Sequence, residues 1–201
     1  MSTRYDVSTL TRATLALVTL TLLGGVAPAA EAYTLLRNGD GDPLHWASYP
    51  VTLHVPSETW DDPDLRASIE NAREAWLVNP SNFYIHVTED DDGWSTSNNE
   101  NELAFIDDPS ILAGPGKTLS RYGAGGAFVE SDIIMNINTT WGHTDDKDEL
   151  TPYGGPGRPA ENTIIHEMGH VAGLGHEPDV YNVMGQDWDH IHVNDDVAQG
   201  Y

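Results

Sequence analysis

One segment of the chain, HEMGHVAGLGH, constrains its fold and function more than any other stretch. His166 and His170 are four residues apart, so on an α-helix they share one face and lie one turn apart. Two imidazoles at this spacing can bind one zinc ion, with Glu167 beside them. Gly173 can adopt the positive φ that ends a helix, so the chain can turn and bring back His176 as a third ligand. Three protein ligands leave one position on zinc open, which is typical of a catalytic site.

The same segment resembles the H-E-x-x-H-x-x-G-x-x-H pattern of the metzincin zinc proteases. Met184 follows His176 by eight residues, where these enzymes carry a methionine turn, and this short spacing is similar to that of the matrixin branch. Glu177 resembles the astacins instead, because matrixins usually have Ser or Thr there. Gly185-Gln186 replaces the Tyr-Pro often found after the matrixin methionine. The chain has no cysteine, which excludes a matrixin-type cysteine switch, so we describe it as matrixin-like and leave the subfamily open.

The resemblance implies a zinc-dependent endopeptidase that hydrolyses protein or peptide substrates. One Zn²⁺ would be held by His166, His170 and His176. Glu167 would act as the general base on a zinc-bound water and then pass the proton to the leaving amine. Met184 would support the ligand histidines from below without coordinating the metal. The substrate would lie extended along an edge strand of the sheet.

The resemblance also implies a fold class, α/β (α+β), in which a twisted mixed sheet packs on helices and a small C-terminal subdomain follows the zinc helix. Asp62-Pro63 predicts the N-cap and first position of a helix, and the zinc helix is expected to begin near Pro159 or Ala160. Alternating and β-branched runs predict strands at 49–55, 83–88, 103–106, 118–122, 127–129 and 133–137.

The chain is strongly acidic, with 9 basic and 32 acidic residues and a formal net charge of −23. That charge disfavours nucleic acid and anionic membrane surfaces as partners. It suits calcium, a saline medium or cationic substrates, and it equally suits a surface that is simply well solvated. Without cysteine, the metal ligands must be histidines and carboxylates. The 201 residues suffice for one ordinary domain, which we expect to be a monomer.

Residues 1–32 are typical of a secretory signal peptide. An apolar run at 13–26 has signal-peptide length and is short for a membrane span. An A-x-A site at 30–32 predicts cleavage before Tyr33, with a competing site at 27–29. We therefore expect a secreted protein without membrane association after cleavage. The alternative is that the segment stays on the chain as a membrane anchor.

Residues 33–201 have about the length of one metzincin-like catalytic domain, and the resemblance extends this assignment to the whole range. Members of the family end with a further helix, for which residues 194–201 are short. The sequence is therefore either truncated at its C-terminal end or carries a reduced last helix.

A second metal ion is a further hypothesis. The long loop at 141–159 is acidic, and a compact domain rarely keeps so long a loop without a purpose. His143 with Asp145, Asp146 and Asp148 would supply the ligands. Ca²⁺ is also considered as a stabiliser of the acidic surface, and the alternative is an acidic loop that serves only solubility.

Two other functions compete with proteolysis. The first is a catalytically inactive secreted module that binds zinc or calcium and derives from a protease; the presence of Glu167 disfavours it. The second is a calcium-dependent structural protein, which leaves the histidine motif unexplained. The same objection applies to a helix that carries histidines by chance.

Overall fold

A two-stranded and a three-stranded β-sheet contain five of the strands that the structure describes. The strands are β1 (Val51–Pro56), β2 (Ile85–Asp90), β3 (Leu103–Ile106), β4 (Gly116–Tyr122) and β5 (Phe128–Asn136). β1 runs parallel to β2, and β5 lies between the parallel β3 and the antiparallel β4. The strand order of the three-stranded sheet is therefore β3-β5-β4, with the antiparallel strand β4 at an edge. An isolated parallel bridge between His54 of β1 and Glu102, the residue before β3, links the two sheets.

The computed structural model describes residues 33–78, 81–90, 93–143, 147–151, 154–177 and 183–185. The predicted signal peptide lies outside these ranges, as does most of the predicted C-terminal subdomain after the zinc helix. Within the described residues, every helix is too short or too polar to span a bilayer.

The helices and the remaining short elements complete the fold. They are α1 (Ser57–Trp60), α2 (Pro63–Leu77), β6 (Trp141–Gly142), β7 (Arg158–Pro159), α3 (Ala160–Val171) and two 3₁₀ turns at Ala124–Gly126 and Lys147–Glu149. Asp62 caps α2, because its carboxylate accepts hydrogen bonds from the N–H groups of Asp64 at 3.0 Å and Leu65 at 3.1 Å. The predicted N-cap of α2 and the predicted start of α3 are both confirmed.

The sheet has apolar side chains on both faces, as the alternation along β3 shows. Leu103 and Phe105 point into the core beneath α2 and α3, where Trp76 is fully buried. Ala104 and Ile106 point to the opposite face and join a smaller cluster. Each fully buried aliphatic side chain contributes about 1.5–3 kcal/mol, so the larger core fixes α3 against the sheet. The described residues thus form a mixed α/β structure compatible with an α+β class.

The strand predictions fail in one place. The prediction of two short strands at 127–129 and 133–137 is wrong, because β5 runs without a break through both. The interruption in the pattern comes from Glu130 to Asp132, which are polar. The structure buries these side chains, so polarity here does not mark a turn.

Three buried carboxyl groups, on Glu102, Glu130 and Asp132, organise the loop before β3. Glu130 accepts hydrogen bonds from the main-chain N–H of Ser97 and from that of Asn99, the latter at 2.6 Å. Glu102 donates its own N–H to Asp132 Oδ1 at 3.2 Å. Burial, and next the neighbouring charge of Glu130, raise the pKa of Asp132 to about 8. Asp132 is therefore a protonated acid at neutral pH, hydrogen-bonded to Glu130.

The raised pKa of Asp132 predicts a specific pH dependence. An aspartate in an unfolded chain has a pKa of ~3.9, so between about pH 4 and pH 8 the folded protein holds a proton that the unfolded chain releases. The free energy of unfolding should fall as pH rises through this window. Asp132→Asn keeps an acceptor for Glu102 and a donor toward Glu130, so the variant should gain at least ~1 kcal/mol over wild type near pH 8 and nothing near pH 4.

Urea melts of both proteins across this pH range measure the difference. Asp40→Asn, in an exposed loop, is the matched control and should follow wild type. A constant difference between Asp132→Asn and wild type from pH 4 to pH 8 would contradict the assignment of the proton.

Candidate metal centre

Helix α3 and the turn after it position the three histidines of the motif. His166 and His170 lie on α3, which ends in a turn where Gly173 has a φ of +93°. A Cβ at this glycine would lie 2.9 Å from the carbonyl oxygen of Leu44, so the turn requires both the positive φ and the missing side chain. The chain then leads back to the exposed His176. The predicted turn is therefore confirmed.

The histidine side chains converge through one atom each. His176 Nε2 lies 3.2 Å from His166 Nε2 and 3.2 Å from His170 Nε2. Nδ1 of His166 donates to the carbonyl of Val183 at 2.7 Å, and Nδ1 of His170 donates to that of Leu174 at 2.8 Å. Because a carbonyl oxygen only accepts, Nδ1 carries the proton and Nε2 keeps its lone pair. At least two lone pairs thus face one point.

This geometry fits a zinc ion. Zn–N bonds of ~2.0–2.1 Å at tetrahedral angles place ligand nitrogens ~3.3–3.4 Å apart, close to the separations of 3.2 Å found here. Burial lowers the pKa of all three histidines, that of His166 to about 4. The imidazoles are therefore neutral at pH 7, which is the form that binds metal.

The segment containing Met184 packs directly under this cluster. The Met184 side chain is buried, and a Cβ at position 169 would lie 2.1 Å from its sulfur, so a larger residue at Gly169 would displace the Met184 side chain. The carbonyl of Met184 accepts the N–H of Glu177 at 2.9 Å. Val183 holds the His166 ring, so this segment contacts both ends of the histidine motif. The rest of the predicted methionine turn lies outside the described residues.

Glu167 lies beside the histidines in a cleft of about 190 Å³. Its side chain is only 6% exposed. The hydroxyl of Thr118, on β4, lies 2.7 Å from Oε2 and 3.1 Å from the main-chain oxygen of the same glutamate. Burial raises the pKa of Glu167 to about 7, and the hydrogen bond from Thr118 opposes this rise. A carboxyl group with such a pKa is suited to exchanging protons at neutral pH.

Two side chains near Glu167, its hydrogen-bond donor Thr118 and the cleft residue Arg158, were not predicted from the sequence. Thr118 and Arg158 lie 49 and 9 residues before Glu167 in the chain, and neither belongs to a recognisable motif. Arg158 lines the cleft together with Glu167 and two of the histidines, His166 and His176. The only signal in the sequence for Arg158 is that it is an isolated cation just before α3.

The predicted second metal site is described only in part. Nδ1 of His143 lies 3.0 Å from the hydroxyl of Ser68, and Asp148 lies in a 3₁₀ turn. Asp145 and Asp146 lie outside the described residues. Within the described ranges, only the three motif histidines bring at least three potential ligand groups within 4.8 Å of one another. The second metal site and the binding of Ca²⁺ stay predictions.

Comparisons with known proteins add no relative: no protein-family model matches the chain, and the curated proteins give no significant match. The geometry of the site and the sequence motif are therefore the observations that bear on function.

Proposed function

We propose that the protein is a secreted zinc-dependent endopeptidase of the metzincin type, similar to the matrixins. One observation carries the proposal: three imidazole nitrogens converge on one point beside a buried glutamate that faces an open cleft. His166, His170 and His176 would hold Zn²⁺. The open cleft next to them would admit a peptide.

Each residue has a distinct role in this proposal. A zinc ion held by the three histidines would supply Lewis-acid chemistry to a water molecule and a substrate carbonyl. Glu167 would take the proton from the attacking water and deliver it to the leaving amine. The carbonyls of Val183 and Leu174 fix the rings of His166 and His170 by accepting their Nδ1 protons.

The sheet offers a place for an extended substrate. β4 is an edge strand that hydrogen-bonds to β5, and it carries Thr118 beside Glu167. A peptide added along the other side of β4 would gain main-chain hydrogen bonds and pass the histidine cluster. The strand order and the methionine segment under the histidines support a metzincin-like fold.

The hydroxyl of Thr118 should position the general base. Thr118→Val removes the donor at nearly constant shape, and a hydrogen bond to a charged group is worth about 1.5–3 kcal/mol. We expect kcat to fall roughly 10-fold or more, with KM and zinc content unchanged. Thr118→Ser keeps the hydroxyl and should recover most of kcat. Equal losses in the two variants would show that the methyl group matters and the hydrogen bond does not.

Secretion is proposed from the sequence, with cleavage before Tyr33. The chain just after this site contacts the third-ligand loop, because the carbonyl of Thr34 accepts the N–H of Gly175 at 2.7 Å. N-terminal sequencing of protein recovered from the medium should begin at or close to Tyr33. A start at Met1 would favour the membrane-anchored alternative.

Metal analysis combined with a protease assay tests the whole proposal. We expect about one zinc per chain and cleavage of casein that a zinc chelator abolishes and added zinc restores. Stoichiometric zinc without any cleavage, in casein or in a peptide library, would favour the inactive binding module. Absence of zinc from protein refolded with excess metal would reject both.

A further inference from the structure

A half-buried cation, Arg158, lies in the wall of the cleft next to Glu167. Its main chain is fixed, because β7 pairs with β6 and the N–H of Arg158 donates to the carbonyl of Thr140 at 2.8 Å. Its Nε donates to the hydroxyl of Thr163 on α3 at 3.1 Å. The main chain of Arg158 is therefore held by Thr140, and its guanidinium group is held by Thr163.

The charge of Arg158 is preserved in this position. Burial lowers its pKa to about 10, while the nearby Glu167 acts in the opposite direction. The group thus remains a cation at neutral pH. A half-buried charge is costly unless something compensates it, and Glu167 provides part of that compensation.

This placement is unusual for a chain with 9 basic and 32 acidic residues. Arg158 nevertheless places a basic side chain in the lining of the cleft. Salt screens acidic surface groups that lie farther away than a Debye length of ~8 Å, so the nearby groups Arg158 and Glu167 contribute most to the electrostatic field within the cleft.

We propose that Arg158 is a specificity-determining residue that binds a carboxylate of the substrate. The inference rests on the proposed peptidase function and names its substrate class: peptides with an acidic group next to the scissile bond. Guanidinium and carboxylate groups form paired, charge-assisted hydrogen bonds. A cleft of about 190 Å³ is smaller than the ~300–1,000 Å³ typical of sites for whole ligands, so it suits one side chain or one chain end.

The carboxylate has two sources, and matched peptides separate them. One series carries Glu or Gln in turn at each position flanking the scissile bond, with an amidated C-terminus. A second series carries Gln at those positions and ends in either a free carboxylate or an amide. The ratio of kcat/KM within each pair measures carboxylate recognition and cancels general losses of activity.

For wild type we expect a preference of roughly 10- to 100-fold for the acidic member of one series. Arg158→Met should bring that ratio close to one, and Arg158→Lys should retain part of it because an ammonium cannot form the paired contact. Arg37→Met, an exposed loop arginine outside the cleft, is the control and should keep the wild-type ratio. Zinc content and melting temperature of each variant report whether it folds.

The two series assign the source. A preference in the Glu/Gln series identifies an acidic side chain, and a preference in the acid/amide series identifies the C-terminal carboxylate. No preference in wild type, or a preference unchanged in Arg158→Met, overturns the proposal.

A binding measurement separates failure of this inference from failure of the proposed function. Zinc-loaded Glu167→Gln binds each peptide pair without cleaving it, and calorimetry gives the ratio of dissociation constants. Binding that favours the acidic peptide, and loses that preference in the Arg158→Met double variant, supports carboxylate recognition even if wild type proves not to be a peptidase. Equal binding of both peptides rejects it, whatever the activity of wild type.

Discussion

Replacing Glu167 by glutamine should abolish most peptide hydrolysis, by ~10²–10⁴-fold, and leave zinc bound. The amide has almost the same shape as the carboxylate and accepts the hydrogen bond from Thr118 that Oε2 now accepts at 2.7 Å. It cannot take up a proton at neutral pH. The loss should therefore appear in kcat, because the missing function is proton transfer.

The measurement is kcat and KM on a fluorogenic peptide, together with zinc content for each protein. Glu161→Gln is the matched control, because Glu161 lies on the same helix and its side chain accepts a hydrogen bond from Asn71 at 3.2 Å. It should cleave at the wild-type rate. If Glu167→Gln also cleaves at that rate, Glu167 is not the general base.

The cluster of three histidines could be predicted from the sequence because its members are close together in the chain. His166 and His170 are placed by helix geometry, which a spacing of four residues specifies completely. His176 needed one further inference, that Gly173 turns the chain, and the φ of +93° agrees with it. Short-range geometry of this kind does not depend on the rest of the fold.

The residues around the histidine cluster could not be predicted from the sequence, because strand pairing brings them to it. Thr118 reaches Glu167 only because β4 pairs with β5 in one register, Thr118 opposite Ile133. A shift by one residue would turn its side chain to the other face of the sheet. Alternation in sequence predicts strands but does not fix their partners, so neither Thr118 nor Arg158 was identifiable beforehand.

The interrupted prediction for β5 shows a second limit. Polar residues usually mark loops because burying them without partners is costly. Glu130 and Asp132 escape that rule, since main-chain N–H groups of Asn99 and Glu102 donate to them. Those donors lie about 30 residues earlier in the chain, and sequence periodicity contains no information about them.

His176→Ala should weaken zinc binding by more than ~100-fold. Removing a residue that only hydrogen-bonds to a metal ligand typically weakens binding by ~10–100-fold, and removing a ligand itself should cost more. His176 is the most informative of the three ligands to remove. It is exposed on a loop, whereas His166 and His170 are half-buried on α3, so its loss perturbs the core least. Two nitrogens would remain, and two protein ligands are fewer than zinc sites normally have.

Loss of zinc binding should also lower the stability of the folded protein. A metal that binds only the folded state stabilises it by about 4 kcal/mol when the free metal concentration is a thousand times its dissociation constant. Wild-type protein should therefore melt at a higher temperature with zinc than with a chelator, and His176→Ala should show little difference at the same zinc concentration. His86→Ala, an exposed histidine on β2, is the control and should behave as wild type. Competition with a chromophoric chelator gives the dissociation constants. Full zinc occupancy and an undiminished melting shift in His176→Ala would show that the convergence of its Nε2 on the other two rings is not metal coordination.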